Sequence, residues 1–162
     1  MKCPYCEMTV RRAQESDIPA IMELLKQVNR VHYEGRPDLF KLQTKYTAEE
    51  LREIIKDDQR PVFVCADEAG AVLGHGFCVL QRPENTRLLK DNLTMYIDDI
   101  CVDERSRGHN VGRALYEHIL EYARGLYCYN VTLNVWNCNP GAMRFYEKLG
   151  LVPYKVGMET IL

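Results

Sequence analysis

The sequence predicts an α/β protein: a mixed central sheet flanked by helices on both faces. Three observations carry this. Strand-type and helix-type apolar periods succeed one another in the order β-α-α-β-β-β-α-β-α-β(β). Two apolar runs joined by Glu68-Ala-Gly70 read as an antiparallel hairpin. The β-branched run Met95–Val102 passes through a short polar turn directly into an amphipathic helix, as a sheet strand does when its helix lies back on the sheet.

Taken in order, Thr9 to Ala13 reads as a first strand. Ser16 or Asp17 can cap a helix whose apolar positions Ile18, Ile21, Met22, Leu25 and Val28 share a face, with Pro19 tolerated in its first turn. Residues 31 to 46 look irregular, with Gly35, Pro37 and the aromatic residues Tyr33, Phe40 and Tyr46. Thr47 and Glu50 form a capping box for a second helix with Leu51, Ile54 and Ile55 on its apolar side. Pro61 to Ala66 and Ala71 to Leu80 make the hairpin; Gly74 and Gly76 mark flexibility or a bulge in its second arm. After a polar loop, Leu93 to Val102 is a strand, and a helix from about Val111 to Arg124 buries Leu115, Ile119, Tyr122 and Leu126. Tyr129 to Trp136 alternates as a strand, Ala142 to Leu149 is a short helix ended by Gly150, and Leu151 to Ile161 supplies one or two last strands.

The 162 residues suffice for one domain with a core, here residues 8–162 behind an N-terminal extension of residues 1–7. Apolar residues make 46%, charged residues 27%, and the net charge is −2, so a general affinity for nucleic acid is not expected. No apolar run approaches the roughly 20 residues that span a bilayer, and no signal-peptide core is evident. The expectation is therefore a cytoplasmic protein with no membrane partner. Cys65, Cys78 and Cys101 lie in strand runs and read as small buried apolar residues. Cys3-Pro-Tyr-Cys6 has a spacing known from redox and zinc sites, which keeps a thiol or metal role open. No second Cys pair follows it and only two residues precede it, so no metal is expected.

Two segments carry chemistry. The first is the turn Arg107-Gly108-His109-Asn110-Val111-Gly112, followed by Arg113 at the start of a helix. Unpaired N–H groups and the helix dipole favour an anion there, and glycine lets the backbone approach it. Asn110 is the residue type that, after glycine, best tolerates left-handed backbone geometry. The second segment is Asn139-Pro-Gly-Ala142 with Tyr146, Gly150 and Leu151.

The first segment resembles the Arg/Gln-x-x-Gly-x-Gly/Ala pyrophosphate loop of the GNAT superfamily of acetyl-CoA-dependent N-acetyltransferases, with Asn110 in place of the usual glycine. The second is similar to that family's Asn-x-x-Ala-x-x-x-Tyr-x-x-x-Gly-Phe pattern, with Leu151 for Phe. The resemblance runs from Thr9 onward and implies acetyl transfer from acetyl-CoA to an amine acceptor. It assigns cofactor binding to Arg107 through Arg113, to Asn139, and to the main chain of Ile100 and Val102 on the preceding strand. It assigns Tyr146 to protonating the departing thiolate. Tyr96-Ile97-Asp98-Asp99 is similar to a Tyr-Leu-Glu-Asp stretch of diamine and polyamine acetyltransferases, which makes Asp98 the favoured base, with Asp99, His75 or water as alternatives.

Period-two geometry sends Asp98 and Asp99 to opposite faces unless a bulge intervenes. His32 is a further titratable candidate, Cys101 a less favoured nucleophile, and Tyr33, Glu34 and Arg36 candidates for the acceptor wall. A non-catalytic CoA-binding module is the competing reading. Members of the family are often homodimers, so that state stays open.

Overall fold

The computed structural model describes residues 5–84 and 86–162. Five strands, β1 (Thr9–Arg12), β2 (Val62–Ala66), β3 (Val72–Gln81), β4 (Thr94–Val102) and β5 (Asn130–Leu133), form one sheet in chain order. The first four are antiparallel, and β5 runs parallel to β4. The helices are α1 (Ile18–Gly35), α2 (Ala48–Ile54), α3 (Val111–Gly125) and α4 (Pro140–Lys148).

Two apolar cores lie on opposite sides of the sheet. On one, α3 sets Val111, Leu115, Ile119 and Ala123 against Phe63, Cys65, Cys78, Met95 and Ile97. On the other, α1 and α2 set Ile18, Ile21, Leu25, Leu51 and Ile54 against Val62, Val64 and Phe77. Strand β2 is buried on both faces, which is why it reads as a continuous apolar run and not as an alternation. Gly74 and Gly76 serve close approach: a Cβ on Gly74 would stand 2.8 Å from the Cys101 carbonyl and 3.1 Å from Val111, and one on Gly76 3.1 Å from Ile119. Ile119 has no exposed surface. Ile119→Ala is expected to cost about 2–5 kcal/mol, read as a lowered denaturation midpoint with an unchanged slope.

The capping box forms as expected: Glu50 N–H donates to Thr47 Oγ1 (3.2 Å) and Thr47 N–H to Glu50 Oε2 (2.7 Å). At the start of α1 the Asp17 carboxylate turns back to accept from Arg11 (2.7 Å) and from the Gln14 N–H (2.9 Å) instead of capping the helix.

Three expectations need correction. Residues 31–35 are not irregular but the last turn and more of α1, because Val31-His-Tyr-Glu contains no breaker and the helix propagates to Gly35 and Pro37. Leu126 lies just past α3 and is exposed; Tyr116 and Ala123 take the buried positions instead. Residues 151–162 form no strand: alternating apolar residues become a strand only beside a neighbouring strand that takes their hydrogen bonds, and among the described residues none does so. No helix is long and apolar enough to cross a membrane among the described residues.

Candidate active site

Strands β4 and β5 pair from Thr94–Asn130 to Ile97–Leu133 and then part, while β4 continues to Val102 along β3. From Asp98 onward the β5 side of β4 has no neighbouring strand among the described residues. The main chain of Ile100 and Val102 therefore borders a cleft, with α3 starting at one end and α4 beyond it.

The turn into α3 has the geometry its residues favour. Gly108 (φ 80°) and Asn110 (φ 64°) are both left-handed. Asn110 stands at the helix start without capping it through its side chain, and the first helical bond of this turn runs from Ala114 N–H to the Asn110 carbonyl. The N–H groups of Val111, Gly112 and Arg113 are thus left for an anion. Arg107, Gly108, His109 and Asn110 are exposed around them. Arg105 is held by Asp103 (3.1 Å), Arg113 lies 3.5 Å from Glu117, and His109 stacks on Tyr5 at 3.7 Å. Of this basic group, Arg107 makes none of these contacts and is the cation the loop can offer.

Gly112 has a role the sequence did not reveal. A Cβ there would stand 2.8 Å from the Phe145 ring. The glycine lets α4 close onto the start of α3. Asn139 is the cap of α4: its Oδ1 accepts from Ala142 N–H at 3.2 Å. Tyr146, one turn on, is half-buried; burial, with the negative charge of Asp99 and the Cys101 sulfur, holds its hydroxyl well above the ordinary phenol range. Its proton is therefore retained at any physiological pH.

The bulge that would put both carboxylates on one face is present. Asp99 pairs with Phe77 and Ile97 with Cys78, so Asp98 is the extra residue. Asp98 accepts from Lys45 Nζ (2.5 Å) and the Tyr46 hydroxyl (3.3 Å). Burial is the largest single influence on Lys45 and opposes its charge, but the bond to Asp98 together with the charges of Asp98, Tyr46 and Asp99 outweighs it and raises the ammonium above its usual value. Asp99 lies 2.8 Å from His75 Nε2. His75 is fully buried and its Nδ1 has no partner among the described residues. The tautomer that suits a carboxylate neighbour carries its proton on Nε2. Burial lowers the pKa of His32, against a smaller pull from Asp99. Its ring stacks on Phe40 (5.0 Å), which meets Trp136 edge-on (5.2 Å).

The sequence reading put Trp136 at the end of a strand and gave it no role at the site; β5 in fact ends at Leu133, because β4 and β5 part there, and Trp136 lies in the turn beyond it. Tyr33 and Glu34 belong to α1, and Arg36 binds Asp38 (2.8 Å) and Glu159 (2.5 Å). Cys101 is buried, donates to the Leu24 carbonyl at 3.4 Å, and has its pKa pushed up to about 12 by desolvation, the opposite of an activated thiolate. Cys3 lies outside the described residues; Cys6 is exposed. Among the described residues no cluster of three or more His, Cys, Asp or Glu could hold a metal.

The model of the acetyltransferase (GNAT) family matches residues 21–151. The chain belongs to the GNAT family. As a GNAT acetyltransferase it is 29% identical to the glucosamine 6-phosphate N-acetyltransferase of Trypanosoma brucei brucei, over 89% of this chain and 88% of that protein. It is 36% identical to glucosamine 6-phosphate N-acetyltransferase 1 of rice (Oryza sativa subsp. japonica), over 39% of this chain and 36% of the rice protein. A crystal structure of a mutant BH1408 protein from Bacillus halodurans superposes with a TM-score of 0.91 at 27% identity, covering 95% of this chain and 99% of that one.

Proposed function

We propose that this enzyme transfers the acetyl group of acetyl-CoA directly to a primary amine of a small molecule or peptide. The supporting observation is the convergence on one cleft of an uncapped helix start, the free edge of β4, a protonated Tyr146 and two carboxylates on a single face. The residues present fit the coenzyme. Arg107 and the N–H groups of residues 108–113 would hold its phosphates. The main chain of Ile100 and Val102 and the amide of Asn139 would meet its pantetheine arm. When bound, the coenzyme supplies the activated acetyl thioester.

Tyr146 holds a proton for the departing sulfur. Asp98, or water beside it, takes the proton the amine must lose. The carboxylate pair favours a cationic amine. Lys45 and Arg60, both near the Tyr46 ring, add positive charge on the same side. An amine that also bears an anion would suit this pairing, and the Trypanosoma relative's name makes an amino-sugar phosphate the first acceptor to try.

Thiol release from acetyl-CoA, measured against amino-sugar phosphates, polyamines, amino acids, aminoglycosides and N-terminal peptides, tests the reading. Amine-dependent release is expected for one class; a protein that does not bind acetyl-CoA would overturn it. Asp98→Asn is expected to lower kcat by about 10²-fold, whereas Asp99→Asn raises the acceptor KM. The reverse pattern would move the base to Asp99.

A further inference from the structure

His75 is a polar side chain with no exposed surface, set in β3 between Gly74 and Gly76. Its cross-strand neighbours are Val64 on β2 and Cys101 on β4, and its ring meets that of Phe77 edge-on at 4.9 Å. An apolar side chain would fill such a place at less cost, because a buried nitrogen without a partner gives up its bond to water and gains none. Among the described residues Nδ1 is such an atom. The other nitrogen, Nε2, lies 2.8 Å from Asp99 Oδ2. Packing alone therefore does not account for a histidine here, whereas the bond to Asp99 does.

Asp99 stands opposite Phe77, two residues from His75, so the two side chains are diagonal neighbours on the α1 face of the sheet. The Asp99 side chain is 15% exposed where that of His75 is sealed. The pair thus runs from the core to the cleft. At its outer end the Asp99 charge acts on the Tyr146 hydroxyl and on His32. A carboxylate's last torsion is broad and sets no direction by itself. A short bond from a ring locked in the core does set one.

We infer that His75 is a positioning residue: its Nε2–H fixes the Asp99 carboxylate through Oδ2 and leaves Oδ1 for the amine of the acceptor. The inference rests on the acetyl-transfer reading of the cleft and gives His75 a part in it without making it the base. The bulge at Asp98 brings both carboxylates to one face, and His75 sets the angle of the second.

Thiol release with the acceptor that the amine screen identifies tests this, together with nitrogen–proton NMR of the coenzyme-free protein. His75→Leu and His75→Met keep bulk but remove the donor. Each is expected to raise the acceptor KM about 10-fold while acetyl-CoA affinity stays at the wild-type value. His75→Gln, whose amide nitrogen can stand near the place of Nε2, is expected to recover most of the loss. In an Asp99→Asn background the apolar changes are expected to add little, as residues that act through one contact do. A side chain that only packs would lower the denaturation midpoint and leave KM alone. The spectrum is expected to show a slowly exchanging Nε2–H that shifts in Asp99→Asn. An unchanged acceptor KM in the apolar variants, no recovery with glutamine, full additivity with Asp99→Asn, or absence of that proton would overturn the inference. A protein that acetylates no amine would remove the reading of the cleft as well, whereas an acceptor whose KM ignores His75 removes the positioning role alone.

Discussion

Tyr146→Phe is expected to lower kcat by about 10²–10³-fold while leaving acetyl-CoA affinity nearly unchanged. The ring keeps its place on α4 beside Phe145 (5.1 Å), so only the hydroxyl is lost. Because the hydroxyl's pKa is raised in the folded enzyme, its protonated form persists through the alkaline range, and the wild-type rate is expected to hold to pH 10 without a Tyr146 limb. Stopped-time thiol release gives kcat and calorimetry gives the affinity; an unaltered kcat would remove the tyrosine from proton transfer. Desolvation pushes Cys65 up to about 11 and both Cys78 and Cys101 up to about 12, so these three react slowly with thiol reagents.

Gly112→Val is the second large effect. The first added carbon already meets Phe145 at 2.8 Å, so the ring must move, and α4 with it. Overpacking of this kind costs about 1–3 kcal/mol. Because α4 carries Tyr146, the variant is expected to lose turnover as well as acetyl-CoA affinity, whereas a clash with phosphate alone would affect affinity only. Pairing it with Phe145→Leu opens the space again and is expected to recover part of both. Failure of that second change to restore anything would mean that the glycine serves the ligand directly.

Most of the framework could be read from local rules. The capping box at Thr47, the left-handed tolerance of Asn110 and the helical stripe of α3 are short-range effects, set by residues three or four apart. The left-handed turn at Gly108 and Asn110 and the cap at Asn139 follow from residue types a few positions apart for the same reason. What was hidden depends on neighbours distant in sequence. The bulge at Asp98 arises from how β4 registers on β3, so neither strand alone announces it. That Gly112 also makes room for Phe145 could not be read locally, because Phe145 is 33 positions away. The final segment has a strand's alternation but lacks the edge a strand needs. Trp136 joined the cleft wall through Phe40 and His32, a contact between loop and helix that no periodicity encodes.

The extra residue in β4 also divides labour along a single strand. Before it, Met95 and Ile97 face α3; after it, Ile100 and Val102 take that side while Asp99 and Cys101 turn toward α1. The positions that face α3 and those that face α1 thus become separate sets of letters in the sequence. A lineage, or an engineer, could therefore rewrite Asp98, Asp99 and the residues around Tyr46 without editing the positions that pack on α3, which makes this stretch a natural place for change to accumulate without loss of the fold.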